Sequence, residues 1–193
     1  MKSKFPFTVH FVLVIFLGSN MYADLFQNSN IKNAYFAGGC FWGVEHYFEK
    51  TAGVKDAVSG YMGGRLPNPD YKSVSTGLTG HLEVVQVVYD STQTDFETLA
   101  RLFFEIHDPT QTNGQGPDIG SQYLSAVFYN DDNEKHIVQN LIAKLEQSGY
   151  KVVTKLISSQ NHIFYKAESY HQDYYSKTGK MPYCHVYTKR FKD

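Results

Sequence analysis

An α+β fold, a two-layer sandwich of helices packed on a mixed β-sheet, is what this sequence predicts. Three observations point there. Strand-like and helix-like patterns alternate along the chain, strand–helix–strand twice and then helix, strand and helix. Residues Leu82–Tyr89 are mostly apolar on both faces, which suits a central strand covered on both sides. Two segments, Thr94–Ile106 and Asp131–Leu145, carry apolar residues at helical spacing behind helix-capping sequences.

Taken in order, Ile31–Ala37 reads as a short strand ending at Gly38-Gly39. From Cys40 onward, Phe41, Val44, Tyr47 and Phe48 recur at helical spacing, and Gly53 closes that helix. Val54–Tyr61 is a second strand. Residues 62–81, MGGRLPNPDYKSVSTGLTGH, are rich in Gly, Pro, Ser and Asn and read as a long loop, and loops of this length in compact domains tend to be functional. The two-faced strand Leu82–Tyr89 follows. Thr94-Asp-Phe-Glu97 reads as a capping box, opening a helix that buries Leu99, Leu102, Phe103 and Ile106. A glycine-bearing loop, 113–122, leads into a strand expected over Tyr123–Tyr129. Asp131-Asp-Asn-Glu134 caps a helix with Ile137, Val138, Leu141, Ile142 and Leu145 inward and Gly149 at its end. A strand over Lys151–Ser158, a helix over Lys166–Lys177 and a loop-like tail complete a ferredoxin-like core with long active-site loops.

The 193 residues are 42% hydrophobic and 19% charged, a globular composition that excludes a disordered chain. Lys2 and Lys4, the apolar run Phe11–Leu17 and the sequence Ser19–Ala23 have the order of a secretory signal peptide over residues 1–23. Its apolar run is too short for the roughly 20 residues of a spanning helix. The expected mature protein, 24–193, is one domain, exported to a periplasm or secreted, and a monomer by default. Removing Lys2 and Lys4 leaves 16 basic against 19 acidic residues, a net charge of −3. No basic cluster is present, which argues against nucleic acid as a partner.

The chain has two cysteines, Cys40 and Cys184. In an exported protein the composition favours a permanent disulfide between them. The surroundings of Cys40 favour chemistry instead. A cysteine at a helix N-terminus faces free amides and the positive end of the helix dipole, which favours thiolate. Gly38-Gly39 leaves it open to a ligand. Phe41 and Trp42 point about 100° apart, so one of them is free to line a pocket. Glu83 heads the two-faced strand, where burial would raise its pKa and keep a proton available. Tyr71 and Tyr123 lie in or beside the two long loops, and Asp118 sits between glycine-bearing turns.

Gly38-Gly-Cys-Phe-Trp-Gly43, Gly60-Tyr-Met-Gly-Gly64, Pro67-Asn-Pro-Asp-Tyr71, Thr79-Gly-His-Leu-Glu-Val84, Gln115-Gly-Pro-Asp-Ile-Gly-Ser-Gln-Tyr123 and Ala167-Glu-Ser-Tyr-His-Gln172 follow one another along the chain. In that order, with Tyr183-Cys184 near the end, they resemble the A-type peptide methionine sulfoxide reductases over roughly residues 33–185. The resemblance implies Cys40 as the nucleophile on the sulfoxide sulfur and Glu83 as the acid for the sulfoxide oxygen. Tyr71 and Tyr123 would bind that oxygen, and Phe41 and Trp42 would hold the substrate methyl group. Asp118 would help order the site. Cys184 would condense with the Cys40 sulfenic acid to a disulfide, reset by an external thioredoxin-like thiol donor. No bound cofactor or metal is implied. The substrate would be the S-sulfoxide of methionine, free or in oxidised proteins, which makes the activity one of repair under oxidative stress. Leu124, Leu82 and Met62 depart from the family's usual Arg, Ala and Ala, around the site rather than in it. Other readings are a cysteine hydrolase using one of the eight histidines, a disulfide-stapled binding domain, and zinc held by Cys40, Cys184 and His185. No local signature selects a catalytic histidine, and His81 and His171 read as structural.

Overall fold

The computed structural model describes residues 30–192; the expected signal segment, 1–23, and its cleavage site lie outside them. The strands are β1 (Ile31–Ala37), β2 (Val54–Met62), β3 (Leu82–Asp90), β4 (Gly114–Gln115), β5 (Asp118–Ile119), β6 (Ala126–Tyr129), β7 (Lys155–Ser158) and β8 (Tyr165–Lys166). The helices are α1 (Phe41–Glu49), α2 (Tyr71–Val74), α3 (Phe96–Ile106), α4 (Asp132–Gln147) and α5 (Tyr174–Thr178). Among these residues no helix is long and apolar enough to cross a membrane.

Six strands form one sheet in the order β7-β6-β1-β3-β2-β8, and only the β6–β7 pair is parallel. With α1 between β1 and β2 and α3 between β3 and β6, the inner strands have the ferredoxin-like arrangement, and the sheet is mixed as expected. β3 is paired on both edges by β1 and β2 and packed on both faces by apolar side chains, which is why neither face carries a run of polar residues. Its odd-numbered residues join the larger core with Phe36, Phe41, Phe48, Leu99, Phe103 and Leu141 from β1 and the helices. Leu82 and Val84 face the other way, onto Ala37, Met62, Ala126 and Phe128, with Ile157 and Phe164 packed against them. The ring of Phe36 stacks on Phe48, Phe96 and Phe103 at centroid distances of 5.1, 5.9 and 5.1 Å.

Several local expectations are corrected. Asp95, not Thr94, caps α3, its carboxylate accepting the Thr98 N–H at 2.7 Å. The 62–81 loop contains α2, opened by a capping box of Asp70 and Ser73. Tyr123 does not begin a strand: it ends a 3₁₀ turn, Ser121–Tyr123, and β6 starts three residues later. The strand expected over 151–158 is confined to Lys155–Ser158. Most of the helix expected over 166–177 is a set of turns, and only α5 remains helical. Those turns are held by tertiary hydrogen bonds. Glu45 accepts the N–H groups of Ser59 (3.2 Å) and Asp173 (2.9 Å), and Gln172 spans the Ser59 and Ala167 carbonyls.

Candidate active site

Cys40 is the N-cap residue of α1 and is buried. Gly39 before it has φ +97, a left-handed conformation, and a Cβ there would run into the Gln115 side chain. The two glycines therefore serve a tight turn packed against Phe103, His107 and Gln115. Both are buried, so the open approach expected of them is corrected. Cys40 makes no side-chain capping bond, but the nearby Trp42 backbone amide favours its thiolate and pulls its pKa down, as a helix start should. The net shift is nevertheless upward. A hydrogen bond with Cys184, burial, and the like charge that Cys184 would carry all oppose the thiolate. The expectation of a standing Cys40 thiolate is corrected accordingly: with Cys184 alongside, this is a thiol.

Cys184 arrives from the tail, 144 positions along the chain, and both cysteines are free rather than joined. The two sulfurs and an Asp118 carboxylate oxygen all lie within 4.8 Å of one another. Two thiols and one carboxylate match none of the usual four-ligand structural zinc sets. Asp118 also accepts the Tyr183 hydroxyl, at 3.1 and 3.0 Å to its two oxygens, which tethers the tail just ahead of Cys184.

Glu83 lies on the helix-covered face of β3, opposite Tyr61 in register, and is 2% exposed. Its Oε2 accepts the Phe41 backbone N–H at 3.1 Å. Burial, and then the nearby Cys40 and Asp118, hold its pKa well above the usual carboxyl range, as the two-faced apolar strand led one to expect. Tyr71, at the first position of α2, and Tyr123, on its 3₁₀ turn, both lie close enough to Glu83 for its charge to act on their phenols. Burial raises both phenols, so both remain O–H donors. Three neutral donors thus converge near the Cys40 sulfur, suited to an oxygen that gains negative charge as a bond to it breaks.

Phe41 is buried, 4.9 Å from the His171 ring and 5.8 Å from Tyr61, whereas Trp42 is half-buried. Trp42 stacks face to face on Tyr174 at 3.7 Å and donates its indole N–H to His171 Nδ1 at 3.0 Å. All eight residues singled out from the sequence therefore lie in or around one site. Four others hold places in the site that the sequence reading did not give them. His171 fixes Trp42, and its ring lies 4.6 Å from that of Tyr71. Glu168 accepts the Tyr71 N–H at 2.8 Å and the Tyr61 hydroxyl at 2.9 Å, anchoring the start of α2. Tyr183 and His185 complete the tail. His171, read as structural, belongs to the pocket. His81 is structural, bonding Gly64 N–H and the Leu66 carbonyl. The imidazole nearest the thiols, His185, bonds Cys184 and not Cys40, which removes the geometry a Cys40 hydrolase would need.

The family model described as peptide methionine sulfoxide reductase matches residues 32–193. A curated relative from Nautilia profundicola, peptide methionine sulfoxide reductase MsrA, is 48% identical over 154 residues, covering 80% of this chain and 88% of its own. Among solved structures, methionine sulfoxide reductase A of Corynebacterium diphtheriae aligns with a TM-score of 0.72 at 37% identity, over 80% of this chain and 78% of that one. Mxr1 from Saccharomyces cerevisiae in reduced form aligns with a TM-score of 0.75 at 35% identity, over 82% and 93%.

Proposed function

The chain belongs to the peptide methionine sulfoxide reductase family, and from that premise we propose how its own residues carry the reaction. It is an oxidoreductase that reduces methionine sulfoxide through cysteine chemistry. The sulfoxide oxygen sits among Glu83, Tyr71 and Tyr123, with the substrate methyl group against Trp42 and the aromatic cluster behind it. Arrival of substrate displaces Cys184 from Cys40, removing the hydrogen bond and the competing charge that oppose a thiolate. The Trp42 amide and the helix end are left to favour it. Cys40 sulfur attacks the sulfoxide sulfur while Glu83 protonates the oxygen, since an unprotonated sulfoxide oxygen is a poor leaving group. The hydroxyl so formed passes from the substrate sulfur to Cys40 as the bond between the two sulfurs breaks, and methionine leaves. Cys40 is left a sulfenic acid, and Glu83 a carboxylate that regains its proton from water. Cys184 then displaces that oxygen as water and forms the Cys40–Cys184 disulfide, which an external thioredoxin-like dithiol reduces.

The observation that carries this reading is the meeting of two free thiols from opposite ends of the fold beside a carboxyl whose burial raises its pKa. A single-turnover assay with a methionine S-sulfoxide substrate and no reductant tests it. Wild type should release one methionine per molecule and lose both thiols. Cys184→Ser should release one methionine and then stall with thioredoxin, and Cys40→Ser should release none. Full activity in Cys40→Ser would end the proposal. The basic, apolar and small-residue order of residues 1–23 supports export of the chain, with a monomer as the default state. An N-terminus at Asp24 in protein recovered from the cell would bear this out.

A further inference from the structure

Cys184 Sγ lies 3.0 Å from His185 Nδ1, and His185 Nε2 lies 2.7 Å from the Gly38 carbonyl oxygen. A carbonyl offers only lone pairs, so Nε2 carries the ring proton and Nδ1 is left as an acceptor. The Cys184 S–H therefore donates to Nδ1, while the Cys40 S–H donates to Cys184 sulfur. The ring is 1% exposed and packs on α1 at Gly43, where a Cβ would collide with Nδ1. Burial keeps it neutral, lowering its pKa to about 4. The titratable groups facing it are Cys40, Cys184, Asp118 and His107. His107 is itself buried and held neutral.

We propose that His185 is the proton acceptor that activates Cys184 during disulfide formation, a role that rests on the reductase reading above. As the Cys184 sulfur pair forms the S–S bond, its proton moves to Nδ1. The Cys40 S–O bond breaks and the oxygen leaves as hydroxide, which takes the proton back from the imidazolium. One water results; Cys40 is reduced from sulfenic acid, Cys184 is oxidised from thiol, and His185 ends neutral. Because a buried imidazolium is unfavourable, proton transfer accompanies bond formation and does not precede it. The Gly38 carbonyl fixes the tautomer, so the nucleophile's own loop sets the base for the second thiol.

The test measures sulfenic acid decay and disulfide formation after one turnover across pH 6 to 8, in wild type and His185→Gln. Glutamine retains a donor for Gly38 but has no base. In wild type the rate should be nearly flat with pH. In His185→Gln, sulfenic acid trappable by a dione should accumulate, with disulfide formation slower by roughly 10²-fold at neutral pH and rising about tenfold per pH unit. A variant slowed equally at every pH, or within about threefold of wild type, would overturn the proposal. So would a wild-type rate that itself rises about tenfold per unit, a result that needs no variant to fold. Methionine release separates the two readings. If wild type releases none, the reductase reading falls and takes this one with it; if it is released and the profiles run parallel, only this one falls.

Discussion

The Phe41 amide donates to Glu83 Oε2 at 3.1 Å, so the acid is tied to the first amide of the helix that Cys40 caps. Nucleophile and acid arise from β1–α1 and β3, which are neighbours in the sheet. One contact therefore holds their separation while the tail and loops around them change. It also explains how a carboxyl can be kept in an apolar place. A single amide bond partly offsets burial, and the remaining penalty falls on the ionised form alone.

Glu83→Gln keeps the shape and the acceptor for Phe41 but removes the acid. Turnover should fall roughly 10²-fold, and the decline of wild-type activity at alkaline pH should disappear. Stability should move the opposite way. A carboxyl with a raised folded pKa contributes fully below its unfolded value near about 4.3, and that contribution is lost as pH rises toward the folded pKa. The variant should match wild type in denaturant midpoint near about pH 4 and exceed it at about pH 8. A variant less stable at both would mean that Glu83 is ionised in the native state.

Tyr71 and Tyr123 feel each other's charge and serve one target, so they should not act independently. Each change to Phe should lower kcat about 5- to 10-fold, the value of one lost hydrogen bond to a polar transition state. The double variant should lose less than the product of the two. Multiplicative losses in a four-way kinetic comparison would show that the two hydroxyls bind different atoms.

Glu83 was legible because a carboxyl on a strand apolar on both faces must be either buried or at an edge. The helix after Cys40 was legible from local spacing alone. What escaped was set by partners distant in sequence. Tyr123 looked like the head of a strand, but its N–H closes a 3₁₀ turn on the Gly120 carbonyl, and Gly120 is itself held by its N–H on the Asn113 carbonyl. Residues 167–173 have helical composition, yet Glu45 and Gln172 hold them as turns, which brings His171 onto Trp42. The protonation of Cys40 was misread for the same reason. Sequence displays a helix start, but not the second thiol resting on it.

Phe36 tests the core that holds β1 against α1 and α3. It is fully buried and stacks on three other rings, so Phe36→Ala removes contacts that a collapse of one neighbour cannot replace. Urea unfolding should show a loss of about 3–5 kcal/mol. A loss below about 1 kcal/mol would mean that the rings repack freely.

Gly43→Ala separates helix propensity from the packing of the tail. In a helix interior, alanine in place of glycine is ordinarily worth about 1 kcal/mol of added stability. Here the new methyl group would occupy the place of the His185 ring. Propensity alone predicts a higher thermal midpoint and normal disulfide formation. The packing predicts that His185 leaves Gly38, that Cys184 moves with it, and that disulfide formation slows while methionine release in the first turnover persists. Cys184 should also be alkylated at least about tenfold faster than in wild type, because its burial depends on that ring. Mass-resolved alkylation rates of the two cysteines distinguish the outcomes. Unchanged protection of Cys184 would mean that the imidazole does not rest on α1.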